Sequence, residues 1–336
     1  MAKKNKRIEL ADIAVTDYAA EGKALAKVDG KVIFISGAVP GDTVDLVLTK
    51  NKKDWAEARV TNIKKLSTER VKPFCGHFGV CGGCKWQMLP YEKQLIYKQQ
   101  EAEQNLRRIG KVTEALFLPI AGADETRYYR NKLEFTFSNK EFYINPPGPP
   151  VPQGEMLEDI NELGMVSETD EPIETGEEVS DPSDIKVLNP SLEGGGALGY
   201  HVPRIFDKVI DIHECYLMDD VNNRIRNTVR DFAKARGFSF YDIRQHSGWL
   251  RNIIIRYCST GELMVNICIN HEAEEDRRSL FDHLLKEVPA ITTLLYTINP
   301  KWNDSIYDLQ PQVYFGKGYA IEKLMAGEDE VYQFII

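Results

Sequence analysis

Between residues 8 and 70 short apolar stretches alternate with turn residues. Val32-Ile33-Phe34-Ile35 and Thr43-Val44-Asp45-Leu46-Val47-Leu48 read as strands, Asp29-Gly30 as a hairpin turn, and Val39-Pro40-Gly41-Asp42 as a second turn. A barrel of about five strands is the expected closure, because it removes exposed edges. The period then changes. Tyr91, Leu95, Ala102, Leu106 and Ile109 recur near the helical period, with Pro90 before them and Gly110 after. This predicts a helix over Tyr91–Ile109 whose single apolar stripe needs a partner surface. Alternation returns at Leu133, Phe135 and Phe137.

Further along, strands are expected near 198–202 and 205–212, then a helix near 219–236 capped by Asp219 or Asp220 and closed by Gly237. Strands over Leu250–Tyr257 and Glu262–Ile269, a helix near 272–286 and a strand near 292–298 complete an α/β pattern with a largely antiparallel sheet. The tail reads as hairpin-like strands over Ile306–Phe315 and a short helix over Tyr319–Met325.

Length and charge refine this picture. A chain of 336 residues should hold two or three domains. No apolar run approaches a membrane span, and the basic start lacks the apolar stretch of a signal peptide, so the expected compartment is the cytoplasm. The net charge of −9 by itself argues against nucleic acid, but it is unevenly spread. Residues 145–196 carry 13 acidic residues and one lysine, and read as a mobile acidic insertion opened by Pro146-Pro147-Gly148-Pro149-Pro150. Residues 1–72 carry 15 basic and 10 acidic residues, so local charge still suits a polyanion.

Three cysteines, Cys75, Cys81 and Cys84, fall within ten residues in a loop punctuated by Gly76, Gly79, Gly82 and Gly83. Several thiolates from a tight loop suit zinc or an iron–sulfur cluster, and a reducing compartment favours metal over disulfides. A fourth ligand must come from elsewhere. Cys215, after a predicted strand and before a helix cap, is the candidate. Cys258 and Cys268 sit inside predicted strands and read as core residues.

At these residues the chain resembles the iron–sulfur RNA (uracil-5-)-methyltransferases that act on 23S ribosomal RNA. The resemblance rests on Cys75, Cys81, Gly82-Gly83, Cys84 and Cys215, on Tyr129-Arg130-Asn131-Lys132, and on Gly248-Trp249-Leu250-Arg251-Asn252. It implies a multidomain α+β chain. A small TRAM/OB-like RNA-binding β-barrel would occupy 1–70, and a cluster loop 71–90. The helical segment 91–118 would pack on the methyltransferase domain, and a central RNA-binding domain would span 119–300. The remnant 301–336 would lead to a C-terminal Rossmann-like methyltransferase domain, which is expected to be absent. Val313 to Ala320, with Gly316 and Gly318, and the Gly194-Gly195-Gly196 run do not replace its glycine loop.

The resemblance further implies a 4Fe-4S cluster on Cys75, Cys81, Cys84 and Cys215, and S-adenosylmethionine as cofactor of the complete enzyme, with no site for it here. In that chemistry a cysteine thiolate adds to carbon 6 of uracil so that carbon 5 can attack the methyl group. No catalytic residue is assigned within this chain, which is expected to be inactive alone. RNA is the expected partner, through Lys50, Lys52 and Lys53 at a barrel loop. Arg130, Lys132, Arg251 and Arg256 would add charge, and Tyr129, His246 and Trp249 stacking or hydrogen bonds. A separate or missing methyltransferase domain is expected to dock on Tyr91–Ile109. The alternatives are a non-catalytic RNA-binding module and a zinc-binding structural protein.

Overall fold

The computed structural model describes residues 8–142, 196–325 and 331–336. The acidic insertion expected over 145–196 therefore lies, apart from Gly196, outside the described residues. The described chain divides into two compact units. The first takes in the residues up to Gly79 and Cys84–Asp124, and the second takes in Val80–Gly83 and the chain from Glu125 onward.

The first unit is built on β1 (Glu9–Ala14), β2 (Asp17–Ala19), β3 (Lys23–Val28), β4 (Lys31–Ser36), β5 (Thr43–Asn51) and β6 (Trp55–Lys65). Asp29 and Gly30 both take positive φ, 49° and 79°, which turns β3 back into β4. The strands run in the order β1-β5-β6-β4-β3-β2, with β4 and β6 parallel and the other pairs antiparallel. The expected barrel is corrected here. The sheet is open, and β1 and β2 remain its edges. Strand β2 has only three residues and ends where Glu21 and Gly22 turn to positive φ, so it offers little ladder for closure. The apolar face is covered from the following segment instead. Phe78, Trp86, Met88, Leu89 and Tyr97 pack on the core of Ala24, Ala26, Ile33, Ile35, Val44 and Leu46.

Helix α1 (Tyr91–Arg108) accordingly belongs to this unit. Tyr97 lies edge-on to Tyr18, with ring centroids 4.6 Å apart, and its hydroxyl donates to Glu69. The predicted stripe divides. The Tyr91 hydroxyl accepts a bond from the Ala123 amide at 2.7 Å, and Leu95 is so close to Gly122 that a Cβ there would sit 3.0 Å from Leu95 Cδ1. Leu106 and Ile109 remain exposed.

A buried carboxylate pins the far side of the sheet. Asp42 accepts bonds from the amides of Val39 (2.7 Å) and Ser67 (2.8 Å) and from Arg70 Nε (2.9 Å) and Nη2 (2.6 Å). It ties the β4–β5 turn to the end of β6.

The second unit holds β7 (Lys132–Ser138), β8 (Ala197–Val202), β9 (Ile205–Asp211), α2 (Val221–Ala235), β10 (Leu250–Tyr257), β11 (Leu263–Ile269), α3 (Glu274–Glu287), β12 (Thr293–Ile298) and β13 (Gln312–Gly316). Its seven strands run β13-β12-β11-β10-β7-β8-β9, antiparallel except where α3 carries β11 across to a parallel β12. The register forms a lateral row of Phe135, Ile253, Ile267 and Tyr296. The helices cover this face: Arg226 of α2 lies 4.7 Å over the Phe135 ring, and Phe281 of α3 meets Tyr296 at 6.0 Å.

The tail departs from expectation. Tyr319–Met325 is not helical. Its residues Ile321–Met325 form β14, paired with β15 (Val331–Ile335). Ala320 and Ile336 exchange backbone bonds, and Thr260 Oγ1 donates to the Ile321 carbonyl at 2.6 Å. A short apolar run has no decisive period of its own, so its distant partners set its conformation.

Replacing Asp42 with alanine strands the Arg70 guanidinium and two amides. Denaturant unfolding should show a loss of roughly 3–5 kcal/mol. The Lys64→Ala variant, which removes an exposed ion pair with Asp12, should leave the midpoint almost where it was.

Candidate functional site

The cysteine loop is divided between the units, so each half is described in its own unit. In the first, Cys75 and Cys84 are half-buried. The Cys75 amide donates to Gln87 Oε1 at 3.2 Å, and its sulfur lies 3.9 Å from His77 Nδ1.

In the second unit, Cys81 and Cys215 share a neighbour. Both thiols lie near enough to Tyr200 to raise its pKa, after burial, which is the larger cause. The Gly83 amide donates to Cys81 Sγ at 3.3 Å. A Cβ at Gly82 would fall 2.5 Å from the His201 carbonyl oxygen, and one at Gly83 3.2 Å from the Tyr200 ring. Only glycine permits this approach of the loop to β8. Cys215 is buried in the connection from β9 to α2, where its amide donates to Asn223 Oδ1 at 2.8 Å.

Arg226 lies fully buried behind it, donating to Ile212 O, Asn222 Oδ1 and Asn223 Oδ1. Burial lowers its pKa to about 10, against the opposing pull of Cys215. Arg130 is drawn to the same place. Its amide donates to the Leu217 carbonyl at 2.8 Å, and its charge lowers the Tyr200 pKa. Two soft sulfur donors flanked by buried and exposed guanidinium groups suit an anionic cluster. Among the described residues, no group of three or more Cys, His, Asp or Glu is gathered to hold a metal ion.

The second feature is the sheet face away from the helices. The register that buries Phe135, Ile253, Ile267 and Tyr296 turns the row Glu134, Ile254, Asn266, Leu295 and Val313 to the other side. A cleft of about 590 Å³ lies along this row. Lys132 and Arg256, cross-strand partners, also line it, and residues 304–307 form one wall.

The remaining candidates separate into surface and interior. Lys50, Lys52 and Lys53 are exposed at the β5–β6 turn, and Lys50 Nζ lies 4.8 Å over the Trp55 ring. Tyr129 is exposed beside the Arg130 guanidinium, and Lys132 pairs with Glu134 at 3.2 Å. His246 is half-buried. Trp249 and Arg251 are buried and do not present themselves to RNA. Trp249 packs on Phe238 and donates to the His271 carbonyl at 3.1 Å, while Arg251 is spent on backbone carbonyls of residues 299–303 and on Asp304. Their positions at the start of an amphipathic strand suit both readings, and only packing separates them. The sequence pattern gave no sign of Trp302, whose indole is largely exposed.

Cys268 lies inside β11 as expected, while Cys258 falls just past the end of β10, and both are buried. Burial first, and Glu134 second, push the Cys268 thiol up to about 12. Burial and then Glu322 raise that of Cys258. Both remain thiols at neutral pH.

No protein-family model matches the chain. It is 44% identical over 310 residues to an uncharacterized RNA methyltransferase of Bacteroides thetaiotaomicron, covering 91% of this chain and 60% of that protein. It is 39% identical over 315 residues to one of Porphyromonas gingivalis, covering 93% and 60%. The chain thus spans about 60% of the length of the curated relatives it matches. Among solved structures it is similar in fold to the Pyrococcus abyssi tRNA (uracil-54, C5)-methyltransferase in complex with S-adenosyl-L-homocysteine. The TM-score is 0.56 at 18% identity, over 96% of this chain and 58% of that one. The expected fold class is corrected here a second time. The expectation that the C-terminal Rossmann-like methyltransferase domain is absent does not stand, because 96% of this chain aligns within a methyltransferase structure. Among the described residues no helix is long and apolar enough to cross a membrane.

Iodoacetamide at pH 8 should leave Cys268 unmodified in the native chain and label it once the chain is unfolded, as read by peptide mass. Rapid native labelling would contradict the buried-thiol assignment.

Proposed function

We propose that this chain is the RNA-holding and cluster-holding part of an S-adenosylmethionine-dependent RNA (uracil-5-)-methyltransferase acting on 23S ribosomal RNA in the cytoplasm. The observation that carries the reading is 44% identity over 91% of the chain to a protein named an RNA methyltransferase. The fold likeness to a tRNA (uracil-54, C5)-methyltransferase with bound S-adenosyl-L-homocysteine supports both the uracil-5 chemistry and the cofactor. The preference for ribosomal RNA rests on the cysteine pattern Cys75, Cys81, Cys84 and Cys215. In this reading those four cysteines hold a 4Fe-4S cluster, with Arg226 and Arg130 offsetting its charge.

RNA contact is assigned to Lys50, Lys52 and Lys53 in the first unit, and to Tyr129, Arg130, Lys132, His246 and Arg256 in the second. A sheet-face cleft that carries Lys132 and Arg256 is a surface on which single-stranded RNA can lie with its bases accessible.

Anaerobically purified protein should be brown and contain iron and inorganic sulfide, and the Cys215→Ser variant should lose both. Colourless protein with stoichiometric zinc would support the structural-zinc alternative instead.

Binding to single-stranded RNA should weaken steeply as salt rises. Reversing Lys50, Lys52 and Lys53 to glutamate should weaken it for every sequence and reduce the salt slope by roughly one unit for each phosphate no longer neutralised. A slope unchanged by all three reversals would remove this loop from the interface.

A further inference from the structure

The segment after β12 is held in shape by a buried arginine. Arg251 Nη1 donates to the backbone carbonyls of Asn299 (2.7 Å) and Lys301 (2.5 Å). Its Nη2 donates to the Asn303 carbonyl and to Asp304 Oδ1, both at 2.9 Å. Asn299 adds a bond from Nδ2 to the Asn303 carbonyl and accepts one from the Lys301 amide. Five residues of loop thus carry a dense set of internal bonds, several from one guanidinium that is 1% exposed.

What this loop displays is Trp302. Its ring lies flat on the His246 imidazole, with centroids 4.7 Å apart and planes within 8°, yet the residue is 77% exposed. The imidazole is itself fixed. His246 takes φ +53°, a conformation uncommon outside glycine, its amide donates to the Asp242 carbonyl at 2.8 Å, and Nδ1 meets the Tyr241 hydroxyl at 3.3 Å. The Asp242 carboxylate closes that turn by accepting from the amides of Arg244 (2.7 Å) and Gln245 (3.0 Å). Tyr241 lies beneath the Arg251 guanidinium at 4.0 Å, so one arginine braces both halves of the stack.

An indole held flat on one side and left in water on the other is ready for a second planar group. Its surroundings say which. The same loop runs on through Asp304 to Tyr307, fully exposed, as a wall of the cleft whose lining includes Lys132 and Arg256. The cleft also holds Glu134, paired with Lys132, and Asp304, paired with the buried Arg251, and a platform beside a groove of stacking surface with cations at hand suits a strand of alternating bases and phosphates.

We propose that Trp302, backed by His246, is a stacking platform for an unpaired base of bound RNA, and that the adjoining nucleotides enter the cleft toward Lys132 and Arg256. This rests on the RNA reading above and adds to it a specific site.

The test is the affinity of the full chain for a short single-stranded oligouridylate at fixed salt, measured by fluorescence anisotropy. Trp302→Ala should weaken binding about 5- to 150-fold. Trp302→Leu, with bulk but no π face, should behave like alanine, and Trp302→Tyr should retain most of the affinity. The salt slope should be unchanged in all three, because no charge is removed, while Lys132→Ala should lower it. If Trp302→Ala and Trp302→Leu bind as wild type while Lys50→Glu weakens binding, the platform is overturned and the RNA reading stands. If the wild-type chain binds no RNA at any salt, the RNA reading falls and the platform falls with it.

Discussion

In the seven-stranded sheet, alternate lateral rows have opposite fates, and the difference between them is one residue of register. The row of Phe135, Ile253, Ile267 and Tyr296 lies under the helices, and the row of Glu134, Ile254, Asn266, Leu295 and Val313 lines a cleft. Side chains on a strand alternate strictly, so a slip by one position would exchange the two sets. Burial of Phe135 and Ile253 therefore also fixes where Lys132 and Arg256 stand. The cleft face is a by-product of the core.

Buried guanidinium groups are the second recurring device. Arg226 satisfies the carbonyl and amide oxygens around Cys215, Arg251 does the same for the 299–304 loop, and Arg70 closes the turn held by Asp42. A planar fork with five donors can saturate irregular backbone that no helix or ladder completes. In each case the arginine shapes a loop: around Cys215 and Val39 the loop's side chains turn inward, and in the 299–304 loop Trp302 is left to meet the solvent. The charge that a sequence count assigns to nucleic acid is, at these positions, internal.

The N-terminal sheet illustrates a different economy. Its small core residues, Ala24, Ala26, Ala56 and Ala58, let two layers approach closely, which a barrel would also require. The chain covers the sheet with Trp86, Met88, Leu89 and Tyr97 from the segment that follows, so the edges β1 and β2 need not meet. Closure and covering both bury the apolar face, and the local pattern of the strands is the same for either.

Much of the local structure was legible in the sequence. Alternation at Leu133, Phe135 and Phe137 marks β7, Asp29-Gly30 marks the hairpin, and Pro90 with Gly110 brackets α1. The cysteine spacing with its glycines marked a tight loop able to aim thiolates at one centre, and the structure adds that Gly82 and Gly83 press on β8. These signals are local, because periodicity and turn chemistry act within a few residues. Tertiary structure alone decided that the first sheet stays open and that Ile321–Met325 is a strand paired with Val331–Ile335. It also buried Trp249 and Arg251 and displayed Trp302. These depend on partners outside the local period, from the facing strand of a hairpin to loops tens of residues away. An exposed tryptophan and a buried one carry the same letter, and only packing, Phe238 against Trp249 and His246 against Trp302, tells the two apart.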